Sequence, residues 1–340
     1  MPLEVAVVGA GMAGLSCARR LAESGMSVTV FDKSRGAGGR MATRRIEQAG
    51  GKPFGIDHGA QYFTAHTTDF QQAVAGWVAD GVVQPWVGRL AAFDGHTLTQ
   101  VASQPRYVGV PRMSAIGRHL LGDLAFCPEH RLMECQYDGQ FWHLQFEAQP
   151  MVQAKHLILA LPAPQVVDLL EINHPFYADA VLQDMLPSWT LMLQCETPIA
   201  VSFDGCFVNH GILSWIARNN SKPERGATEA WVIHASRAWS QAHVDAPREW
   251  VAEQLLAAFA EVIGQPVVVA QQWVHRWLYA LASEALNVGC WYEPAQQFGI
   301  AGDWLNGSRV EGAWLSGQDL ATRMLAARPE SAGSVAGLGC

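Results

Sequence analysis

An α/β fold of two domains, one built on parallel strands and one α+β, is what this sequence predicts. Three observations carry the prediction. Residues 5 to 32 read as strand, glycine-rich turn, helix and strand, ending on an acid. A continuous apolar run, His156-Leu157-Ile158-Leu159-Ala160-Leu161, closed by Pro162 and Pro164, has the composition of a strand buried on both faces. The section from 171 to 295 has another texture, with strand-like runs, one long amphipathic helix and most of the thirteen tryptophans.

In chain order, Val5-Ala6-Val7-Val8 leads into Gly9-Ala10-Gly11-Met12-Ala13-Gly14 and a helix from Leu15 to Ser24. Val28-Thr29-Val30-Phe31 then ends on Asp32. In this context the glycines have separate tasks. Gly9 permits the tight turn, Gly11 lets a pyrophosphate approach the backbone, and Gly14 lets the helix pack on the sheet. The helix start, at Met12 and Ala13, offers unpaired N–H groups to phosphate, and Asp32 stands where a carboxylate accepts from an adenosine ribose. This is a Rossmann-like dinucleotide site.

A second glycine cluster, Lys33-Ser34-Arg35-Gly36-Ala37-Gly38-Gly39-Arg40, follows directly. It suits a long dinucleotide lying against backbone, with Arg40 either near the phosphates or bracing the loop. Asp57-His58-Gly59-Ala60-Gln61-Tyr62-Phe63-Thr64 mixes polar and aromatic groups after a turn, and Gln61, Tyr62, Phe63 and Thr64 are candidates for a cofactor and substrate wall. Asp69 to Val78 reads as a helix with Phe70, Val74, Trp77 and Val78 at helical spacing. Residues 86 to 110 are short alternating segments.

Further strands are expected at Phe141–Phe146, Thr190–Cys195, Leu213–Arg218, Ala230–Ala235 and Val267–Val274. A helix from Pro247 to Gly264 places Trp250, Val251, Leu255, Phe259, Val262 and Ile263 on its apolar side. Ser188 and Trp189 can meet a substrate ring or belong to the core. His275, Trp277 and Tyr279 share one strand face, turned either to the cofactor or to the core. Near the C-terminus, Phe298–Trp304 is a strand ending in Gly302-Asp303, and a helix runs from about Ser308 to Ala327. The expected division is a discontinuous first domain (1–61, 107–170 and 296–328), a second domain (62–106 and 171–295) and a frayed tail (329–340).

Composition narrows the partners. With 340 residues, 49% hydrophobic and 16% charged, and a net charge of −8, the chain is an ordinary globular one without the basic surface that nucleic acid or an anionic membrane demands. No apolar run is long enough to cross a bilayer. The first strand begins at once, leaving no room for a signal peptide, and seven unpatterned cysteines read as reduced thiols, not as a metal site. A cytoplasmic location is expected. No zinc-protease spacing, nucleophile elbow or carboxylate pair stands out.

Gly9–Gly14 with Asp32, Gly36–Arg40, and Gly302-Asp303 with Arg309–Gly317 together resemble the FAD-binding set of amine-oxidase-like flavoproteins, a Rossmann-like fold of the amine-oxidase and p-hydroxybenzoate-hydroxylase type. Within that superfamily the chain is similar to the renalase family. The residues that carry this likeness are Phe31–Gly36, Asp57 with Gly59–Thr64, Arg218-Asn219-Asn220-Ser221-Lys222-Pro223-Glu224-Arg225, His275–Ala280, and Gly302-Asp303-Trp304 with Arg309–Ala313. The resemblance spans residues 3 to 327, and His58 departs from it where an apolar residue is usual.

The resemblance implies noncovalent FAD held by Gly9, Gly11, Met12, Ala13, Gly14, Asp32, Lys33, Arg40, Gln61, Gly302, Asp303 and Val310. It implies a substrate wall of Tyr62, Phe63, Thr64, Ser188, Trp189 and Arg309. The implied reaction is oxidation of 2- and/or 6-dihydro-NAD(P) by hydride transfer to flavin, then reoxidation by dioxygen to give NAD(P)+ and hydrogen peroxide. Aromaticity regained in the substrate ring drives it, so no acid/base residue is required and positioning is the protein's task. An amine-oxidase-like oxidoreductase and a non-catalytic flavin-binding protein are the alternatives. Against amine oxidation stand Arg309, at a position where amine oxidases carry an aromatic residue, and the absence of lysine from 275–279.

Overall fold

The computed structural model describes residues 1–47, 53–102 and 104–328 and contains two large sheets. The chain begins with β1 (Leu3–Val8), α1 (Met12–Glu23), β2 (Val28–Phe31), β3 (Thr43–Ile46), β4 (Phe54–Asp57) and α2 (Thr68–Ala79). Four short strands follow, β5 (Val83–Pro85), β6 (Leu90–Phe93), β7 (Leu98–Gln100) and β8 (Tyr107–Gly109), then α3 (Ser114–Leu121). Next come β9 (Ala125–Cys127), β10 (Leu132–Tyr137), β11 (Trp142–Phe146) and β12 (Val152–Leu159), with short helices α4 (Ala163–Val167) and α5 (Tyr177–Val181). The middle section holds β13 (Met185–Cys195), β14 (Gly205–Val208), β15 (Leu213–Arg218), β16 (Ala230–Ala235), α6 (Arg237–Ala242), α7 (Arg248–Ile263) and β17 (Val269–Ala282). The chain closes with β18 (Trp291–Glu293), β19 (Phe298–Ile300) and α8 (Val310–Ala326).

The first sheet runs β10-β11-β12-β1-β2-β9, with β19 on β12 and β18 on β19. Its centre is parallel: Val5 to Val8 pair with Val28 to Phe31 on one side and His156 to Leu159 on the other. Both faces of β1 are buried from Val5 onward, Val5 and Val7 in one core and Ala6 and Val8 in another, which is why these four residues are all apolar. Helix α8 lies on α1, so close that a Cβ on Gly317 would overlap the Ala13 carbonyl oxygen. The first and last helices of the described chain are thereby brought to one place.

The second sheet runs β17-β13-β16-β15-β14-β6-β7. Its outer face packs Leu191, Leu193, Ile216, Trp231 and Ile233 against Val251, Leu255 and Phe259 of α7. On its inner face, Met192, Ala230 and Val232 pack on Ile46 and Ile56 of the β3–β4 hairpin. Helix α7 ends at Gly264, whose φ of 68° gives the left-handed C-cap that glycine tolerates.

Three boundaries differ from the sequence reading. Strand β18 pairs with β19, Trp291 facing Ile300, so the first sheet resumes before residue 296. Helix α2 packs into the first core, Phe70 lying 5.4 Å from Trp314, and only β6 and β7 of the 62–106 stretch join the second sheet. Strand β17 continues to Ala282 because β13 pairs with it along nearly its whole length. Trp250 leaves the apolar stripe of α7 and stacks on Trp239 at 5.7 Å. The expected tail, 329–340, lies outside the described residues.

Candidate functional site: a backbone cradle and the sheet face opposite

The cradle starts where β1 ends. Gly9, with φ 112°, turns the chain, and a Cβ there would run into the Ala160 carbonyl. A Cβ on Gly14 would overlap the Gly9 carbonyl oxygen, so this residue sets how closely α1 meets the turn. Gly11 is different: a Cβ on it meets no protein atom within 4 Å, so its bareness leaves room beside the helix start and serves no internal packing. Helix α1 has no side-chain cap, and its first internal bond is Leu15 N–H to Gly11 C=O. The N–H groups of Met12, Ala13 and Gly14 therefore find no acceptor among the described residues. Helix α8 repeats the arrangement, with Ala313 N–H bonding Arg309 C=O and no side-chain cap. Two uncapped helix starts on touching helices fit the pyrophosphate and the electron-rich edge of a dinucleotide cofactor.

Asp32 accepts from Ala10 N–H (2.7 Å) through Oδ2 and from both Ser34 N–H (2.8 Å) and Ser34 Oγ through Oδ1, so it fixes the turn while Oδ2 keeps a lone pair. Lys33 is exposed. Gly38 N–H donates to Ala10 C=O (2.8 Å), which folds the second glycine cluster onto the first. Arg40 pairs through Nη1 and Nη2 with the buried carboxylate of Asp303 and donates to Ala280 C=O (3.0 Å). Of its two expected roles, Arg40 takes the brace. Gly302 N–H donates to Ser316 Oγ (3.0 Å) and Val310 opens α8, so the C-terminal motif is bound into the same frame.

The 57–64 turn is attached beside this frame, with Ala60 N–H donating to Arg40 C=O (2.9 Å). Beneath it lies a buried charge cluster. Asp57 is wholly buried and takes Arg225 through Nε (3.0 Å) and Nη2 (2.7 Å), Thr43 Oγ1 (2.6 Å) and Met113 N–H (3.1 Å). Burial pushes its carboxyl pKa upward, but Lys222, Arg225 and these hydrogen bonds outweigh that and hold it below the usual carboxylate value. Lys222 Nζ stands 3.6 Å from Asp57 and donates to Gln61 Oε1 (3.0 Å). Burial lowers the Lys222 pKa to about 8 against the opposing pull of Asp57. Sequence reasoning missed Lys222 and Arg225 as site components; their place within 218–225, a segment already singled out, was the available signal.

Across from the turn stands the inner face of the second sheet. Trp215, His234, Thr190 and His275 are directly opposed across β15, β16, β13 and β17 and therefore share one face. Trp215 Nε1, His234 Nε2 and Thr190 Oγ1 are shielded from solvent and have no hydrogen-bond partner among the described residues. His58 Nδ1 is a fourth such atom, its ring lying 4.9 Å from His275 and stacked on Trp277 at 5.1 Å. Four of the ten unpartnered buried side-chain atoms among the described residues thus gather in one neighbourhood, which makes it a candidate site for a polar group. Burial, with His275 beside it, lowers the His58 pKa to about 4; burial, with Lys222 and His58 nearby, lowers that of His234 to about 3.

The expected wall residues divide. Tyr62 stands edge-on to Trp215 at 5.5 Å, with Arg106 over its ring at 5.2 Å, between turn and sheet. Ser188 lies on the inner face opposite Trp277. Thr64 is partly buried and bonds His66 (2.9 Å). Arg309 is exposed at the start of α8. Phe63 is not a wall residue: it is buried against Tyr107 and Phe70 because its backbone forms a bridge with Tyr107. Trp189 is on the outer face, alternate to Ser188, and its Nε1 donates to His243 C=O (2.9 Å). Gln61 turns inward, its amide donating to Asp57 C=O and Gly59 C=O, so the side chain supports the turn from behind.

Comparison with known proteins agrees with this geometry. Residues 7–79 match the model of the NAD(P)-binding Rossmann-like domain. L-amino acid oxidase Lm29 of Lachesis muta is 53% identical over 49 residues, which are 14% of this chain and 10% of that protein. The match thus spans about a tenth of the length of that curated relative. Cyclohexylamine oxidase from Brevibacterium oxydans IH-35A superposes with a TM-score of 0.74 at 11% identity, over 95% of this chain and 99% of that one. A putrescine oxidase carrying A394C gives 0.73 at 14% identity, over 96% and 100%. The fold is amine-oxidase-like, with a Rossmann-like dinucleotide-binding domain, and the motif set and oxidase relatives indicate FAD as the cofactor.

Proposed function

We propose that this amine-oxidase-like flavoprotein is an oxidase of aberrant dihydronicotinamide dinucleotides, the 2- and/or 6-dihydro forms of NAD(P), releasing NAD(P)+ and hydrogen peroxide. The observation that carries this reading is the charge around the site. Arg309 stands exposed at the start of α8, Lys222 and Arg225 lie behind the 57–64 turn, and the Asp57 carboxylate is fully engaged by its partners. The ring faces of Tyr62 and Trp86 already carry Arg106 (5.2 Å) and Lys222 (5.9 Å). A cationic amine meets repulsion there, whereas a phosphate-bearing, neutral ring meets complementary charge.

Bound FAD supplies the hydride acceptor and the route to dioxygen. The chain's own contribution is positioning. The N–H groups at the starts of α1 and α8 hold an anionic cofactor, Arg40–Asp303 locks the cradle, and Tyr62, Ser188, Thr190 and His234 face the substrate ring with neutral polar groups. The rival reading, oxidation of a primary amine as the putrescine and cyclohexylamine oxidases are named for, draws on fold similarity at 11–14% identity and meets the charge arrangement above.

The test is peroxide release in air from borohydride-reduced NAD, from 4-dihydro-NADH and from a panel of primary amines including putrescine and cyclohexylamine. Release from the isomer mixture alone supports the proposal. Release from amines alone assigns the protein to amine oxidation.

A further inference from the structure

The buried cluster under the 57–64 turn contains more positive charge than the fold needs. Asp57 brings one carboxylate; Arg225 meets it through two nitrogens, at 2.7 and 3.0 Å, and Lys222 stands farther off at 3.6 Å. No second carboxylate among the described residues bonds either cation. The Lys222 ammonium is completely buried, and its nearest polar contact is the Gln61 amide oxygen at 3.0 Å. A buried ammonium that shares its counter-ion is expensive, and a fold that needed only a brace would use a neutral group.

Position explains the expense. Gln61 belongs to the turn whose Ala60 N–H is tied to Arg40 C=O, and Arg40 is paired with Asp303 on the C-terminal motif. A Cβ on Gly59 would overlap the Arg40 carbonyl and touch the Trp277 ring, so the turn is pressed against the cradle without a gap. The Lys222 charge lies one side chain behind this wall. Its ammonium also lies 5.9 Å from the centre of the Trp86 ring, which is 6.0 Å from that of Tyr62.

We infer that Lys222 is a positioning and electrostatic residue of the cofactor site, clamping Gln61 from behind and giving the Asp57–Arg225–Lys222 cluster the net positive charge that it lends to the electron-rich reduced cofactor. This rests on the FAD reading and adds to it a residue outside the glycine motifs. The charge favours the reduced form over the oxidised form, because two-electron reduction increases the negative charge the site must hold. At neutral pH the ammonium stays protonated, since its pKa is lowered only to about 8.

The experiment is a midpoint-potential measurement on the purified holoprotein and on Lys222→Met, alongside flavin content and thermal melting. The bound flavin of the wild type is expected above free FAD in potential. Lys222→Met is expected to lose about tenfold in the reduction equilibrium, about 30 mV for a two-electron couple, with flavin content retained. A potential unchanged by Lys222→Met overturns the inference. Should that variant fail to fold, the wild type decides: a potential at or below that of free FAD overturns the inference. A wild type that takes up no FAD sinks the cofactor reading itself, a separate outcome.

Discussion

The cradle of the first domain is made of main chain; the sheet face across from it is made of side chains. In the cradle, Gly9, Gly11 and Gly14 matter for atoms they lack, and the groups offered are N–H donors at the starts of α1 and α8. On the sheet face, Trp215, His234 and Thr190 each offer one polar atom from a different strand. Backbone donors are indifferent to base or ring chemistry and hold any dinucleotide pyrophosphate. Side chains drawn one per strand can be exchanged singly, so they are where selectivity among substrates can change without loss of the cofactor. The Asp57–Arg225–Lys222 cluster joins the two, since Asp57 ends β4 of the first part and Lys222 and Arg225 follow β15 of the second.

That joint gives the largest expected effect. Arg225→Ala leaves Asp57 buried beside a distant ammonium, and removing one partner of a buried pair costs about 3–5 kcal/mol; urea denaturation should show it. A loss under about 1 kcal/mol would mean the two walls are held together elsewhere.

Acid should loosen the same junction. His58 and His234 titrate at about 4 and about 3 in the folded protein against 6.5 in the open chain. Below pH 6.5 the unfolded chain therefore binds protons that the folded one refuses, so stability is complete above 6.5 and falls as the pH drops toward 4. At pH 5.5 the expected loss is about 1.4 kcal/mol per histidine, and His234→Gln should flatten the pH profile of the melting temperature.

The cradle alone is addressed by Gly11→Val. Its new side chain meets no protein atom at Cβ, so the apoprotein should melt as before, while FAD affinity falls at least tenfold, about 1.4 kcal/mol. Fluorescence titration of apoprotein with FAD reads this directly. The sheet face alone is addressed by Thr190→Val, which removes a buried hydroxyl without a partner. We expect the apoprotein to gain about 1 kcal/mol, with FAD content unchanged and kcat/KM for the dihydro isomers several-fold lower.

The same contrast decided what could be read from sequence. The cradle was legible because its parts are contiguous: Val5–Asp32 carries strand, turn, helix and acid in one stretch, and the strands at Leu213–Arg218 and Ala230–Ala235 fall at the expected residues. The sheet face was not, because its row is assembled by register between strands far apart in the chain, and register is invisible until the strands are paired. Trp189 shows the cost. Next to Ser188 in sequence, it points to the opposite side of the sheet. Phe63 fails similarly, since its bridge to Tyr107 could not be foreseen from a mixed polar and aromatic run.

If a backbone cradle holds FAD while the sheet face receives a dihydronicotinamide ring, the flavin absorbance of anaerobic holoprotein will report it on mixing with one equivalent of 6-dihydro-NAD, or of the 2-dihydro isomer, against one equivalent of 4-dihydro-NADH. Rapid and complete bleaching by at least one of the first two, and little by the third, is expected. Bleaching by neither isomer, with full bleaching by putrescine or cyclohexylamine, would contradict it.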